Sequence, residues 1–244
     1  MQRMQRSDFV STHWSIVLAA SGRSTPEGAA AFSALCGIYW RPLYAYVRRR
    51  GLSIEDAQDL TQSFFCRLME KDALQHAEPE RGRFRSFLLT SLKNFQANEW
   101  DRQQTQKRGG HVEFLSLDEI GQAENDYLTD ETACILAPEV LYERNWALAL
   151  LERTTSRLAA EFAGVGKAGV FENLKSFLTG ESGGMSYSQA AASLGMSEGA
   201  VRVAVHRLRG RFRDLLRAEI ALTVANPEDP HAIEEELRHL LSVL

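Results

Sequence analysis

The sequence predicts an all-α protein built as two helical domains joined by an acidic linker, and three observations carry that prediction. Apolar residues recur at helical spacing along most of the chain, as in Phe32, Leu35, Cys36, Tyr39, Leu43, Tyr46 and Val47. Helix-start and helix-stop residues punctuate those runs: Ser53 and Ser186 stand where a cap is needed, Gly51 and Gly195 where a helix must end. Charge is also segregated. Residues 81–110 carry seven Lys and Arg against Glu99 and Asp101, whereas 111–143 carry nine acids and no Lys or Arg, so a boundary falls between them. The predicted layout is a first domain over 1–110, a linker over 111–143, a second domain over 144–224 and an amphipathic tail over 225–244.

Residues 7–20 form a lead-in whose Phe9, Trp14 and Val17 pack on the first domain, with no functional signal of their own. A helix over 29–50 follows, with Pro42 predicted to kink it and Arg48, Arg49 and Arg50 favourably placed at its C-terminus. Ser53 caps the next helix, with Asp56 three residues on, and Ile54, Ala57, Leu60, Phe64, Leu68 and Met69 form its buried face. Asp56, Asp59, Gln62, Ser63 and Cys66 remain on the outside, a surface suited to a protein partner. Two carboxylates one turn apart, with no third acid or His converging on them, do not make a metal site.

The segment 81–110 starts as a basic loop and continues as a helix that buries Phe84, Phe87, Leu88, Leu92 and Phe95. Its polar positions are Lys93, Asn94, Asn98, Arg102, Gln103, Gln104, Lys107 and Arg108. They mix cations, which bind phosphate, with amides, which read base edges or unpaired bases. Trp100 lies among them and suits either base stacking or the edge of the core. Over 111–143 apolar periodicity fades, Gly121 and Pro138 interrupt it, and a linker with a local turn at 115–120 is expected. Helix returns over 145–162 through Trp146, Leu150, Thr154, Leu158 and Phe162; Gly164 and Gly166 break it, and Val170, Leu174, Phe177 and Leu178 form another.

The second domain then presents its most informative stretch. Ser186 and Gln189 form an S-x-x-Q capping box ahead of Tyr187, Ala190, Ala191 and Leu194, and Gly195 closes that short helix. Ser197 caps the next helix, whose one stripe is Val201, Val205, Leu208, Phe212 and Leu215. Its other side holds Arg202, His206, Arg207, Arg209, Arg211 and Arg213. Over 200–217 six arginines oppose the single acid Asp214, a sequestered charge rather than an alternating one. Two short helices joined through a glycine turn, the second basic on its outer face, describe a helix-turn-helix whose second helix enters the major groove.

Composition bounds the rest. At 244 residues, with 44% hydrophobic and 25% charged residues, the chain can bury a globular core. A net charge of -4 would argue against nucleic acid only if it were evenly spread, and the segments show that it is not. Cys36, Cys66 and Cys134 lie far apart with no C-x-x-C, so disulfides and zinc are not expected and a reducing cytoplasm fits; no cofactor is expected. No apolar run reaches membrane-spanning length and the start lacks a signal-peptide core, so no membrane association is expected.

On these residues the chain resembles a bacterial RNA polymerase sigma factor of the extracytoplasmic-function type, within the sigma-70 family. Residues 55–65 (EDAQDLTQSFF) resemble the acidic helix that binds core polymerase, which implies Asp56, Asp59, Gln62 and Ser63 as its contacts. Residues 84–88 through Asn94, Asn98 and Arg102 resemble the promoter-melting and minus-10-reading segment, which implies Lys93, Asn94, Asn98, Trp100, Arg102, Lys107 and Arg108 as DNA contacts. Residues 197–209 resemble the minus-35 recognition helix, which implies Ser197, Glu198, Arg202, His206, Arg207, Arg209 and Arg211. Val203 and Ala204 depart from it, standing where relatives often place Ser and Arg, and 162–184 is longer and richer in glycine than its counterpart. The implied partners are core RNA polymerase and promoter DNA. Regulation by an anti-sigma factor, or by the chain's own tail, is also open.

Two other classes fit parts of the sequence. A stand-alone helix-turn-helix regulator would bind duplex DNA without polymerase, usually as a dimer over paired half-sites. An enzyme, such as a metal-dependent nuclease using Glu55, Asp56 and Asp59, lacks a phosphate loop, a metal-binding H-E-x-x-H or a nucleophile elbow to support it. The tail carries Ile233, Leu237, Leu240, Leu241 and Leu244 as an apolar stripe, expected either to fold back on the second domain or to await a partner helix.

Overall fold

The computed structural model describes residues 26–70, 83–103, 117–179, 185–224, 226 and 228–244. Among them every regular element is a helix: α1 (Pro26–Arg49), α2 (Ile54–Glu70), α3 (Phe84–Gln103), α4 (Leu117–Thr129), α5 (Pro138–Gly164), α6 (Ala168–Leu174), α7 (Ser176–Thr179), α8 (Tyr187–Leu194), α9 (Glu198–Ala221) and α10 (Pro230–Ser242). The lead-in over 7–20 lies outside the described residues. The chain divides into two compact units, 1–148 with 220–244, and 149–219, so the division falls within α5 and near the end of α9.

The first unit is built on α1, whose predicted stripe is buried throughout. Tyr39 meets Phe84 of α3 edge-on at 5.4 Å, and Trp40 stacks on Phe65 of α2 at 5.8 Å. In α2 the buried stripe runs through Ala57, Thr61, Phe64, Phe65 and Leu68. Thr61 is accommodated there because its hydroxyl donates to the Ala57 carbonyl at 2.7 Å. Ile54, expected in the core, is 39% exposed, and Leu60 is half-buried. The stripe is therefore turned toward Phe65, which Phe32 and Trp40 of α1 hold between them.

Two acidic segments outside the predicted first domain belong to this unit. Residues 117–129, placed in a linker by composition, form α4 and are tied to α1 through one carboxylate. Glu124 is buried, accepts from Arg48 Nε at 2.9 Å and Nη2 at 3.0 Å, and accepts the hydroxyl of Tyr44. The Arg48 hydrogen bonds hold the Glu124 carboxyl below its usual range. Arg41 pairs with Asp126 at 3.2 Å and Arg144 with Asp130 at 2.7 Å, so the acids of this stretch meet cations distant in sequence.

The tail is the second. Instead of the second domain or a vacant partner groove, α10 joins the first unit. Leu240 is fully buried and Leu241 is 62% exposed, so the apolar stripe is only partly used. The tail is anchored by charge: Glu236, with no exposed surface, accepts from Arg83 Nε at 2.8 Å and from the Arg85 guanidinium. Arg85 is 2% exposed, donates to Glu143 at 2.6 Å and lies over the Trp146 ring at 4.1 Å. Burial pulls the Arg85 pKa down, but the two carboxylates outweigh it and hold it above its usual value.

In the second unit α8 and α9 pack on α5, α6 and α7. Leu158, Phe171, Leu174, Ala190, Val201, Val205, Leu208 and Leu215 form its core. Ser186 accepts from the Gln189 amide at 3.1 Å while the Gln189 side chain accepts from the Ser186 amide at 2.8 Å, completing the predicted capping box. Gly195 ends α8 at φ 63°, in the left-handed region that glycine enters without a Cβ penalty.

Candidate nucleic-acid and partner interface

The outer face of α2 is organised by its cap. The Asp56 amide donates to Ser53 Oγ at 3.1 Å, and Ser53 Oγ donates to the Asp56 carboxylate at 2.9 Å. Asp59 and Ser63 follow one turn apart, both exposed, and Gln62 is half-buried beside them. Asp56, Asp59 and Ser63 line an open cleft of about 580 Å³ together with Arg50, Phe95 and Gln96. The structure thus gathers three of the four residues assigned to polymerase and adds Gln96. The Gln96 Oε1 is buried without a hydrogen-bond partner among the described residues. Sequence gave no sign of it, because α3 there reads as one helix with a polar outer face.

Along α3, Asn94 and Asn98 are exposed one turn apart and so share a face. Lys93 reaches back: its Nζ lies 2.8 Å from Glu139 and 5.8 Å from the centre of the Tyr46 ring. The hydrogen bond from Lys93 draws the Glu139 carboxyl below its usual range. Trp100 and Arg102 continue the helix, but their side chains lie outside the described residues, as do Lys107 and Arg108 entirely.

In the second unit the residues grouped by sequence on the basic face separate into two sets. Ser197 Oγ accepts from the Ala200 amide at 3.2 Å and so caps α9. Arg202 stands over the Tyr187 ring at 5.4 Å and within 3.9 Å of Glu198, while His206 and Arg207 are exposed. Arg209 and Arg211 are directed to the unit's own frame. Arg209 donates twice to the Phe177 carbonyl, at 3.0 and 2.8 Å, and Arg211 pairs with both oxygens of Glu161, at 2.8 and 2.6 Å. The Arg211 hydrogen bonds hold Glu161 below its usual range and Glu161 in turn raises Arg211. Periodicity could not make this division, because the partners lie 32 and 50 residues away.

Among the described residues no helix is long and apolar enough to cross a membrane, and no group of three His, Cys, Asp or Glu could hold a metal ion. Residues 38–106 match the Sigma-70 region 2 family, a span from within α1 past the end of α3 that covers under half of the chain. The match supports a sigma factor of the sigma-70 family, whose members are transcription initiation factors that bind RNA polymerase and melt promoter DNA. No curated protein and no solved structure matches the chain.

Proposed function

From the sigma-70 region 2 carried by 38–106, we propose that the chain is a sigma factor of the extracytoplasmic-function type. In this reading it works in the cytoplasm, binds core RNA polymerase, reads a promoter at two elements and opens it. The region 2 match is the observation that carries the proposal; the helix-turn-helix of the second unit supplies a duplex-reading element of the kind a two-element promoter requires.

Opening about ten base pairs at about 1.4 kcal/mol per stacked step costs on the order of 14 kcal/mol, more than one small helical unit supplies. A larger partner is therefore needed. The exposed acids Asp56 and Asp59, with Gln62 and Ser63, offer it a docking face on α2. Asn94 and Asn98, two amides on one face of α3, suit the edges of an unpaired minus-10 base, with Trp100 further along as a stacking surface. Arg102, Lys107 and Arg108 supply phosphate contacts. Lys93 joins them by exchanging Glu139 for a phosphate, a small cost because both partners of that pair are 40% exposed or more. On α9, Arg202, His206 and Arg207 face the minus-35 duplex.

The test is gel filtration of the purified chain with bacterial core RNA polymerase, followed by transcription from a promoter library. A one-to-one complex that starts at discrete sites supports the proposal. A chain that ignores polymerase but binds a two-fold symmetric duplex as a dimer overturns it in favour of a stand-alone regulator.

A further inference from the structure

The basic face of α9 carries one residue that charge does not explain. Val203 lies six residues into the helix, is 51% exposed and is flanked by Arg202, His206 and Arg207. The core stripe of α9 is complete without it, since Val201, Val205, Leu208 and Leu215 are all buried. A β-branched residue at an exposed helical position is also a poorer helix former than alanine, arginine or lysine. Neither packing nor propensity therefore accounts for a valine here. Gly199, one turn earlier, adds no side chain between Val203 and an approaching surface; a Cβ built there would meet only Ser197 Oγ, at 4.0 Å.

An apolar group within a cationic face near the start of a groove-entering helix has one good partner in duplex DNA. In the major groove thymine alone presents a methyl group, and small apolar side chains contact it while neighbouring cations hold guanine edges or phosphates. We propose that Val203 is a specificity-determining residue that reads the C5-methyl of a thymine in the duplex bound by α9. This rests on the helix-turn-helix reading above and deepens it: the recognised element contains a thymine adjacent to the bases contacted by Arg202, His206 or Arg207.

The experiment uses the full chain, free and bound to core RNA polymerase, to select duplexes from a random library. In the enriched duplex each thymine is then replaced in turn by uracil, which removes the methyl and keeps every hydrogen-bonding group. At one thymine the replacement should weaken binding about fourfold, the worth of one buried methyl-sized group. Val203→Ala should bind the thymine and uracil duplexes equally at that position, with an unchanged helical signal because the site is exposed and alanine favours helix. Indifference of the unsubstituted protein to every uracil, or persistence of the fourfold effect in Val203→Ala, overturns the proposal while leaving DNA recognition intact. Failure to enrich any duplex in either form removes the DNA-binding reading itself, and the assignment of Val203 with it.

Discussion

Replacing Glu236 by Gln should destabilise the first unit far more than an exchange of one oxygen for one amide nitrogen suggests. The Glu236 carboxylate has no exposed surface and serves two guanidiniums, Arg83 at 2.8 Å and Arg85, itself 2% exposed. Removing one partner from a buried ion pair costs about 3 to 5 kcal/mol, because the other charge stays buried. Arg85 keeps Glu143 at 2.6 Å, so the lower end, about 3 kcal/mol, is expected. With a urea dependence of about 1 to 3 kcal/mol per molar, the midpoint should fall by about 1 to 3 M. Residues 149–219 contain no tryptophan, and Trp40 and Trp146 are buried in the first unit, so tryptophan fluorescence follows the first unit and not the second. Glu235→Gln is the control: that side chain is 59% exposed and 3.8 Å from Arg83, and its loss should be near zero. The joint change of Arg85 and Glu236 to Met should cost less than Glu236→Gln, since no fully buried cation is left without its partner; Arg83 is 35% exposed and keeps Glu235 at 3.8 Å. A Glu236→Gln loss below about 1 kcal/mol would refute the buried anchor.

Other expectations follow from the same contacts. Glu124→Gln should destabilise the protein at neutral pH, and the difference from the unsubstituted chain should disappear in acid. The folded-state carboxyl is depressed by Arg48, so its contribution is present above the unfolded value of about 4.3 and is lost as pH falls through the lower folded value. A difference that stays constant into acid, in denaturant titrations at stepped pH, would remove this assignment. Asp59→Arg should weaken core polymerase binding about tenfold or more while leaving the fluorescence midpoint unchanged, because the side chain is exposed. Unaltered affinity in a polymerase titration would discard the α2 face as a docking surface. Arg202→Ala with Arg207→Ala should cost about 1 to 3 kcal/mol per lost base contact on the selected duplex. An equal loss on scrambled duplex would reduce both to phosphate grips. Arg211→Ala should leave sequence preference unaltered, because that guanidinium is bound to Glu161.

Sequence carried most where the cause of structure is local. The capping box of Ser186 and Gln189, the glycine at 195 and the stripe of α9 are set by residues within a turn or two, and the structure has them as spacing predicts. It carried least where a charged side chain is buried by a distant partner. Arg85 reads as part of a basic loop, yet its partners are 58 and 151 residues away. Glu124 reads as one more linker acid, yet its partners are 76 and 80 residues away. Periodicity ranks residues by polarity, so a buried ion pair looks the same to it as two solvated charges.

That blindness inflates the charge a partner would meet. The net excess of cations over 81–110 suggests a broad phosphate-binding surface, but Arg83 and Arg85 are paired with Glu236 of the tail and Lys93 is matched by Glu139. On α9 the six arginines reduce in the same way once Arg209 and Arg211 are bound internally. Among the described residues, α3 turns two amides outward, and on α9 Arg202, Val203, His206 and Arg207 lie within about two turns of one another, with Arg213 exposed further along. A surface of that kind depends more on base edges than on counterion release. Because the slope of log affinity against log salt scales with the number of phosphates neutralised, α9 should show a shallower slope than its arginine count implies. The same economy bears on the tail. Deleting 225–244 would take Glu236 and Leu240 out of the first unit's core, so a gain of polymerase binding on truncation cannot be read as relief of inhibition unless the fluorescence midpoint is preserved. Glu236→Gln, which weakens the anchor without shortening the chain, separates the two: release of an inhibitory helix raises polymerase affinity, whereas loss of a structural one lowers the midpoint and leaves affinity unchanged or reduced.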